Sequence, residues 1–376
     1  PYGRQEVTKE DIKSVIEVLE SDFLTQGPAV PQFEKKISKL TSVKYSVAVN
    51  SATSGLHIAC LALGLGPGDI LWTSAITFVA SANCALHCGA KVDFIDVDPD
   101  TALMSIDHLR LKLIEAKKSG TIPKIVIPVH FAGQPCDMKE IFKLGQDYGF
   151  KIIEDAAHAI GAKYNDMAIG NCKYSDIAVF SFHPVKIITT GEGGICLTNN
   201  VDLSNIMRRL RSHGITRKSE EMTNSKMDSW YYEQIDLGLN YRMTDIQAAL
   251  GISQLKRLDD YIAKRLEISL WYDSIFLNMK VKPLIQKKDR YSSNHLYVVR
   301  IPGSMVLRDN LFRSLRKANI GVNLHYIPLY RHPYFKSNIR LSGAEEYYNS
   351  AISLPIFPTI SKKELMYVVD QISNFI

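Results

Sequence analysis

Three short stretches carry residue types that could do chemistry. Asn50-Ser51-Ala52-Thr53-Ser54-Gly55 sets small and hydroxyl residues between a strand and a helix. Backbone N–H groups are then left free at a helix N-terminus, which suits a phosphate. A plain Ser/Thr helix cap would read the same way. In Ile152-Ile153-Glu154-Asp155-Ala156-Ala157-His158, two β-branched residues place a strand inside a sheet. Asp155 falls at its carboxyl end, where ligand crevices of α/β sheets form, although a single Asp there also serves as a helix cap. Phe180-Ser181-Phe182-His183-Pro184-Val185-Lys186 ends a strand in a polar turn and a lysine, and Thr189-Thr190-Gly191-Glu192-Gly193-Gly194 bends back to another strand. A crevice lysine works as a Schiff base or a general base; a lone loop lysine is otherwise a surface residue.

Taken together, a phosphate cradle, an acid at one strand end and a lysine after another are the three parts of a pyridoxal 5′-phosphate (PLP) site. Lys186 would form the Schiff base, the covalent aldimine. Asp155 would keep the pyridine nitrogen protonated so that the ring acts as an electron sink. Phe78, within Thr77-Phe78-Val79-Ala80-Ser81-Ala82-Asn83, follows a strand and is placed to stack on the ring. Other nucleotide signatures are absent. Gly64, Gly66 and Gly68 form G-x-G-x-G, but after a helix and before a strand, which reads as a turn. Cys84 and Cys88 lie one helical turn apart without two further ligands at sensible spacing, so no metal is expected. The six cysteines read as free thiols in a reducing compartment.

The elements that must hold these groups alternate. Strands are expected at 45–49, 70–73, 91–95, 125–128, 151–154, 177–182 and 194–198, with helices over 54–63, 79–88 and 139–148. That pattern is an α/β fold, a mostly parallel central sheet flanked by helices. Before it, Thr8 caps a helix over 8–20 whose apolar face is Ile12, Val15, Ile16 and Leu19, and a second helix covers 30–40. After about residue 240 the pattern changes to one long helix from Thr244 to about Phe276, a strand over 295–301, a helix over 308–318 and a last helix from Lys362. This reads as a smaller α+β domain, giving a large domain over 1–245 with an N-terminal arm and a C-terminal domain over 246–376.

A chain of 376 residues has room for about two domains, and 46% hydrophobic with 22% charged residues excludes a disordered or fibrous class. The net charge of +6 is mild. Its densest basic cluster, Met207-Arg208-Arg209-Leu210-Arg211, reads as the solvated face of a helix, so no nucleic-acid partner is expected. No apolar run approaches the ~20 residues that span a bilayer. Pro1-Tyr2-Gly3-Arg4-Gln5 lacks the apolar core of a signal peptide, so a cytoplasmic protein without a membrane partner is expected.

The ordered motifs at 50–54, 77–83, 154–161, 181–194, Leu237–Asp245 and Ser353-Leu354-Pro355 resemble the DegT/DnrJ/EryC1/StrS sugar aminotransferases, which have the fold-type-I PLP architecture. The resemblance covers nearly the whole chain. It implies catalytic roles for Lys186, Asp155 and His158, the last near the ring hydroxyl. Ala52, Thr53, Ser54 and Ser181 would hold the phosphate. Asn240 would reach the phosphate from a neighbouring subunit, which implies a homodimer with shared active sites. Tyr2, Phe23, Leu24, Thr25, His325 and Tyr326 would line the substrate. Segments 181–190, Ser292-Ser293-Asn294-His295-Leu296-Tyr297 and Val322–Tyr326 are similar to the pseudaminic-acid branch. There the substrate is UDP-2-acetamido-2,6-dideoxy-β-L-arabino-hex-4-ulose, with L-glutamate as donor, 2-oxoglutarate as product and pyridoxamine phosphate as intermediate. One departure is Ile187, where close relatives often have Pro. A C3 or dTDP-sugar aminotransferase, or a PLP-binding protein without turnover, would carry the same core motifs.

Overall fold

The computed structural model describes residues 1–224 and 228–376. In chain order the first elements are α1 (Lys9–Leu19), α2 (Ala29–Thr41), β1 (Tyr45–Val49), α3 (Ala52–Ala62), β2 (Ile70–Ser74), α4 (Ala80–His87) and β3 (Lys91–Ile95). Then follow α5 (Ile106–Ser119), β4 (Ile125–Ile127), α6 (Met138–Tyr148), β5 (Lys151–Asp155), the small hairpin β6 (Lys163–Tyr164) and β7 (Met167–Ala168), β8 (Ile177–Ser181), β9 (Gly194–Thr198) and α7 (Val201–Leu210). The short pair β10 (Ile215–Thr216) and β11 (Glu233–Gln234) leads to α8 (Asp245–Leu255) and α9 (Leu258–Phe276). The chain ends with β12 (Lys282–Pro283), β13 (Arg290–Tyr291), β14 (Tyr297–Arg300), α10 (Met305–Lys317), α11 (Ser342–Ser350), β15 (Ala351–Leu354) and α12 (Lys362–Ser373).

The central sheet has the order β1-β9-β8-β5-β4-β2-β3. Strands β8, β5, β4, β2 and β3 pair in parallel, and β9 runs antiparallel to both of its neighbours. Helices cover both faces, so every residue of β4, β8 and β9 is buried. That is why these strands read as unbroken apolar runs. Alternation along a strand then splits the core. Ala48, Ile152 and Phe180 point into one layer, Val47, Ile153 and Val179 into the other. The parallel strands end together at Ser74, Asp155 and Ser181, and this edge carries the site.

A second, smaller core lies in the C-terminal part. The antiparallel sheet β12-β14-β15 packs with α9, α10 and α12 around Tyr272, Phe276, Val299, Leu311, Leu315, Ile352 and Ile372. The long helix expected from Thr244 is two helices, broken at Lys256 and Arg257. At the break, Arg257 Nη2 donates to Asp11 Oδ2 at 2.6 Å, which ties α1 to this corner. Asp245 accepts from the N–H groups of Gly27, Ala29 and Val30 and so caps the start of α2.

The apolar stripe of α1 is largely open: Ile12, Ile16 and Leu19 are about half exposed, while polar Asp11 is buried. One surface reading is corrected. The arginine cluster of α7 is not a solvated face. Arg208 and Arg211 both pair with buried Glu34, at 2.9 and 2.7 Å, and donate to the carbonyls of Ser46 and Ala48. Arg209 pairs with Asp236. All six cysteines are free and buried. Among the described residues, no helix is long and apolar enough to cross a membrane.

Candidate active site

A cavity of about 490 Å³ opens at the carboxyl edge of the central sheet. Its polar floor begins with Asp155, the last residue of β5. The Ser81 hydroxyl donates to Asp155 Oδ2 at 2.6 Å, and the N–H of Ala157 donates to Oδ1 at 3.1 Å. Ser81 stands in the first turn of α4, with its hydroxyl 2.8 Å from that of Thr77. Among the described residues Asp155 forms no salt bridge.

Lys186 closes the turn after β8, where its N–H bonds the carbonyl of His183 at 2.9 Å. The residue as a whole is partly exposed, but its amine lies in the enclosed part of the cavity. Burial pushes the amine down to about 8, and the negative charge of Asp155 opposes the shift. A substantial neutral fraction is what a nucleophile or a general base needs. Neighbouring Ile187, the one departure noted from the resemblance, is buried.

Three imidazoles complete the interior. The His158 ring lies 4.4 Å from that of His295 and is stacked with Tyr326 at 6.3 Å. Tyr326 Oη is 3.3 Å from His158 Nε2. Burial, and then the charge of Lys186, keeps His158 neutral, and burial does the same to His295. His325 is pushed down to about 3 by burial and by Lys186. The Asn323 amide nitrogen faces His325 Nε2 at 3.3 Å, which leaves Nδ1 to donate to Ser353 Oγ at 2.8 Å. The Tyr2 ring packs edge-on against His325 at 5.0 Å, and its carbonyl accepts from Ile356 N–H at 3.0 Å.

The opposite wall is the start of α3. Ser51 caps the helix by accepting from Ser54 N–H at 3.1 Å. Ala52 and Thr53 line the cavity in the first turn, where N–H groups have no partner within the helix. Gly194, which opens β9, makes this approach possible. A Cβ there would sit 2.5 Å from Ala52 N and 2.6 Å from Ser51 C. Ser181 and Phe78 also line the space, the latter 57% exposed at its mouth.

These features fit PLP. First-turn N–H groups and the hydroxyls of Ser51, Thr53 and Ser181 suit its phosphate. A buried carboxylate without a salt bridge suits a protonated ring nitrogen, and the lysine amine suits its aldehyde.

Of the residues expected from sequence, one cavity therefore collects Ala52, Thr53, Phe78, Asp155, His158, Ser181, Lys186, Tyr2, His325 and Tyr326. Ser54 is buried just behind the cradle, its hydroxyl 3.0 Å from that of Ser51. Phe23, Leu24, Thr25 and Asn240 lie outside the lining of this cavity. The first three sit on an exposed loop tied to Thr244 and Asp245. Asn240 is exposed and pairs with Ser212. Sequence reasoning gave no role to Ser81, His295 or Ser353. Each lies in a motif noted for its resemblance, yet nothing in its spacing reveals a distant partner.

Residues 5–373 match the model of the DegT/DnrJ/EryC1/StrS aminotransferase family. The chain belongs to that family. It is 38% identical, over all of its length and 97% of the relative's, to the UDP-4-amino-4,6-dideoxy-N-acetyl-beta-L-altrosamine transaminase of Campylobacter jejuni subsp. jejuni. Its structure is similar to that of Helicobacter pylori PseC, an aminotransferase involved in pseudoaminic acid biosynthesis, with TM-score 0.91, 31% identity and coverage of 100% and 98%. It is also similar to the PLP-form of the sugar aminotransferase Spr1654 from Streptococcus pneumoniae, with TM-score 0.89, 30% identity and coverage of 100% and 98%. As a DegT-family aminotransferase the protein is a PLP-dependent transferase with the expected α/β fold.

Proposed function

We propose that the protein transfers the amino group of L-glutamate to C4 of UDP-2-acetamido-2,6-dideoxy-β-L-arabino-hex-4-ulose. The products are UDP-4-amino-4,6-dideoxy-N-acetyl-β-L-altrosamine, for pseudaminic acid biosynthesis, and 2-oxoglutarate. The observation that carries the reaction type is the enclosed Lys186 amine in the same cavity as Asp155. The sugar follows from the likeness to the Campylobacter enzyme and to PseC.

Bound PLP supplies an electron sink that stores the amino group between the two half-reactions. Lys186 would hold it covalently through Nζ. Asp155, fixed by Ser81 and Ala157, would partner the ring nitrogen, and His158 would lie by the ring hydroxyl. Ala52, Thr53 and Ser181 would hold the phosphate, with Ser54 supporting them through Ser51, and Phe78 would cover the ring. The Lys186 amine, in its neutral form, would take the proton from Cα of glutamate. In the second half it returns a proton to C4 of the sugar. Tyr2, His325 and Tyr326 orient the sugar.

The working unit is a homodimer, in which the loop of Phe23, Leu24 and Thr25 and the side chain of Asn240 complete the partner's site. The exposed stripe of Ile12, Ile16 and Leu19, continued by Phe23 and Leu24, supports this reading. The chain divides into a PLP-binding domain to about residue 245 and a C-terminal domain after it.

The test is an assay of nucleotide 4-ketosugars with glutamate, together with absorbance of the purified protein. Lys186→Ala should lose both the absorbance of covalently held cofactor and turnover. Turnover of a dTDP-sugar or at C3, in preference to the UDP sugar, would replace the substrate assignment. Normal turnover by Lys186→Ala would end the mechanism.

A further inference from the structure

The segment Ser292-Ser293-Asn294-His295 reaches His158 from the far side of the chain. Ser293 Oγ donates to the backbone carbonyl of His158 at 2.7 Å. The His295 ring lies against the His158 ring at 4.4 Å, tilted by 45°. Two side chains separated by one residue thus grip the same histidine, one by its backbone and the other by its ring. Asn294 between them takes a left-handed φ of 49°. Its side chain bonds the carbonyl of Ser292, and its N–H the Ser292 hydroxyl.

The segment is anchored on both sides. Ser293 N–H bonds the carbonyl of Gly133 at 3.1 Å, and a Cβ on Gly133 would meet Ser293 Oγ at 2.4 Å. Beneath it, the guanidinium of Arg265 is fully buried with no carboxylate partner among the described residues. Arg265 Nη1 donates instead to the carbonyls of His295, at 3.1 Å, and of Ile356, at 3.0 Å. Ile356 is the residue whose N–H holds Tyr2. One cation therefore fixes both the grip on His158 and the wall that carries Tyr2. The Nδ1 atoms of His158 and His295 are buried without hydrogen-bond partners, so ring packing, and not a hydrogen bond between those nitrogens, sets their relation.

We propose that His295, with Ser293, is a positioning residue of the transamination: it acts through His158, fixing the imidazole plane that lies by the cofactor. The proposal rests on the reading of His158 as a cofactor-side residue. Without His295 the ring keeps Phe131 edge-on at 6.1 Å, Tyr326 stacked at 6.3 Å and the contact of Nε2 with Tyr326 Oη, but it loses its nearest ring, and χ2 is a soft torsion. Small displacements in a reacting constellation cost much rate, up to about a hundredfold for 1 Å.

The experiment compares His295→Ala, His295→Phe and Ser293→Ala in the holoenzyme, with protein labelled with ¹⁵N at histidine. The His158 ring signals are assigned by their loss in His158→Gln. His295→Ala should move the His158 ring signals and lower kcat about tenfold or more, with KM for glutamate within about twofold. His295→Phe keeps a flat ring at the same place and should restore most of kcat. Ser293→Ala should move the same signals by a smaller amount, and it guards against the loss of fold in the larger changes. Unmoved His158 signals in both His295→Ala and Ser293→Ala would overturn the proposal. So would equal loss of kcat in His295→Ala and His295→Phe. Failure of the underlying site reading looks different: His158→Gln would then leave both the cofactor absorbance and kcat unchanged.

Discussion

The Ser81 hydroxyl donates to Asp155 Oδ2 at 2.6 Å, while Ala157 N–H holds Oδ1 at 3.1 Å. Both carboxylate oxygens are thereby oriented without a salt bridge, and the charge is left to face the cavity. Asp155→Asn should keep the fold and lower kcat by about a hundredfold or more, because a preorganised charge is lost where the cofactor ring binds. Ser81→Ala removes one donor to that charge, worth about 1.5–3 kcal/mol, and should lower kcat by roughly tenfold or more. Steady-state rates with circular dichroism as a fold control decide both. Equal rates for Ser81→Ala and wild type would show that the hydroxyl does not tune the acid.

The Lys186 amine gives a pH prediction. With its titration moved from 10.5 to about 8, it is neutral above pH 8 and charged below. At pH 7 about one amine in ten is neutral, against about one in three thousand for an ordinary lysine. In protein stripped of cofactor, acylation of Lys186, read by peptide mapping, should rise with pH and level off above about 8. Asp155 raises the amine, so Asp155→Asn should move the plateau to lower pH. A plateau near 10.5 would remove burial as the cause.

Much of the fold and part of the candidate site could be read from sequence, for physical reasons that individual residues show. Ile152 and Ile153 are buried on both faces of a parallel sheet, so they leave an uninterrupted signal, and Asp155 at its end follows. Thr8 with Asp11 and Thr244 with Gln247 are local capping boxes, which a short window contains whole. The α1 stripe was legible as apolar, but periodicity does not say whether the partner is this chain's core. Arg208 reads as solvated in the sequence because its partner Glu34 is 174 residues away. Ser293 and His158 are separated by 135 residues, and no spacing rule joins them.

Glu34 is the hub of the arginine cluster. It accepts from Arg208, from Arg211 and, at 2.8 Å, from Ala48 N–H inside β1. Removing the carboxylate leaves the mostly buried Arg211 and the half-exposed Arg208 without their anion. Glu34→Ala should destabilise the protein by about 3–5 kcal/mol, as breaking a buried ion pair from one side does. Urea unfolding measures it. A loss below about 1 kcal/mol, the range of exposed pairs, would mean that solvent screens the cluster after all.

Gly194 separates cofactor binding from chemistry. Its backbone passes so close to the cradle that a Cβ would overlap Ala52 N and Ser51 C. Those atoms are backbone and cannot swing away, so Gly194→Ala must push α3 from β9. We expect cofactor affinity, followed by absorbance during titration with PLP, to fall at least about tenfold. Stability should fall by about 1–3 kcal/mol, the cost of overpacking. Unchanged affinity would place the phosphate elsewhere.

Tyr2 should act on substrate alone. Its ring meets His325 edge-on at 5.0 Å, and its carbonyl is held by Ile356, so it forms a wall of the cavity without touching Asp155 or the α3 cradle. Tyr2→Ala deletes an aromatic surface that contributes about 0.5–1.5 kcal/mol beyond its area burial. KM for the ketosugar should rise by about tenfold, the area and ring terms together, while the absorbance of bound cofactor and the half-reaction with glutamate stay near wild type. Single-turnover kinetics of each half-reaction separate the two. A matched loss in the glutamate half would move Tyr2 from the sugar to the cofactor side of the cavity, and the orientation proposed for the nucleotide sugar would have to turn with it.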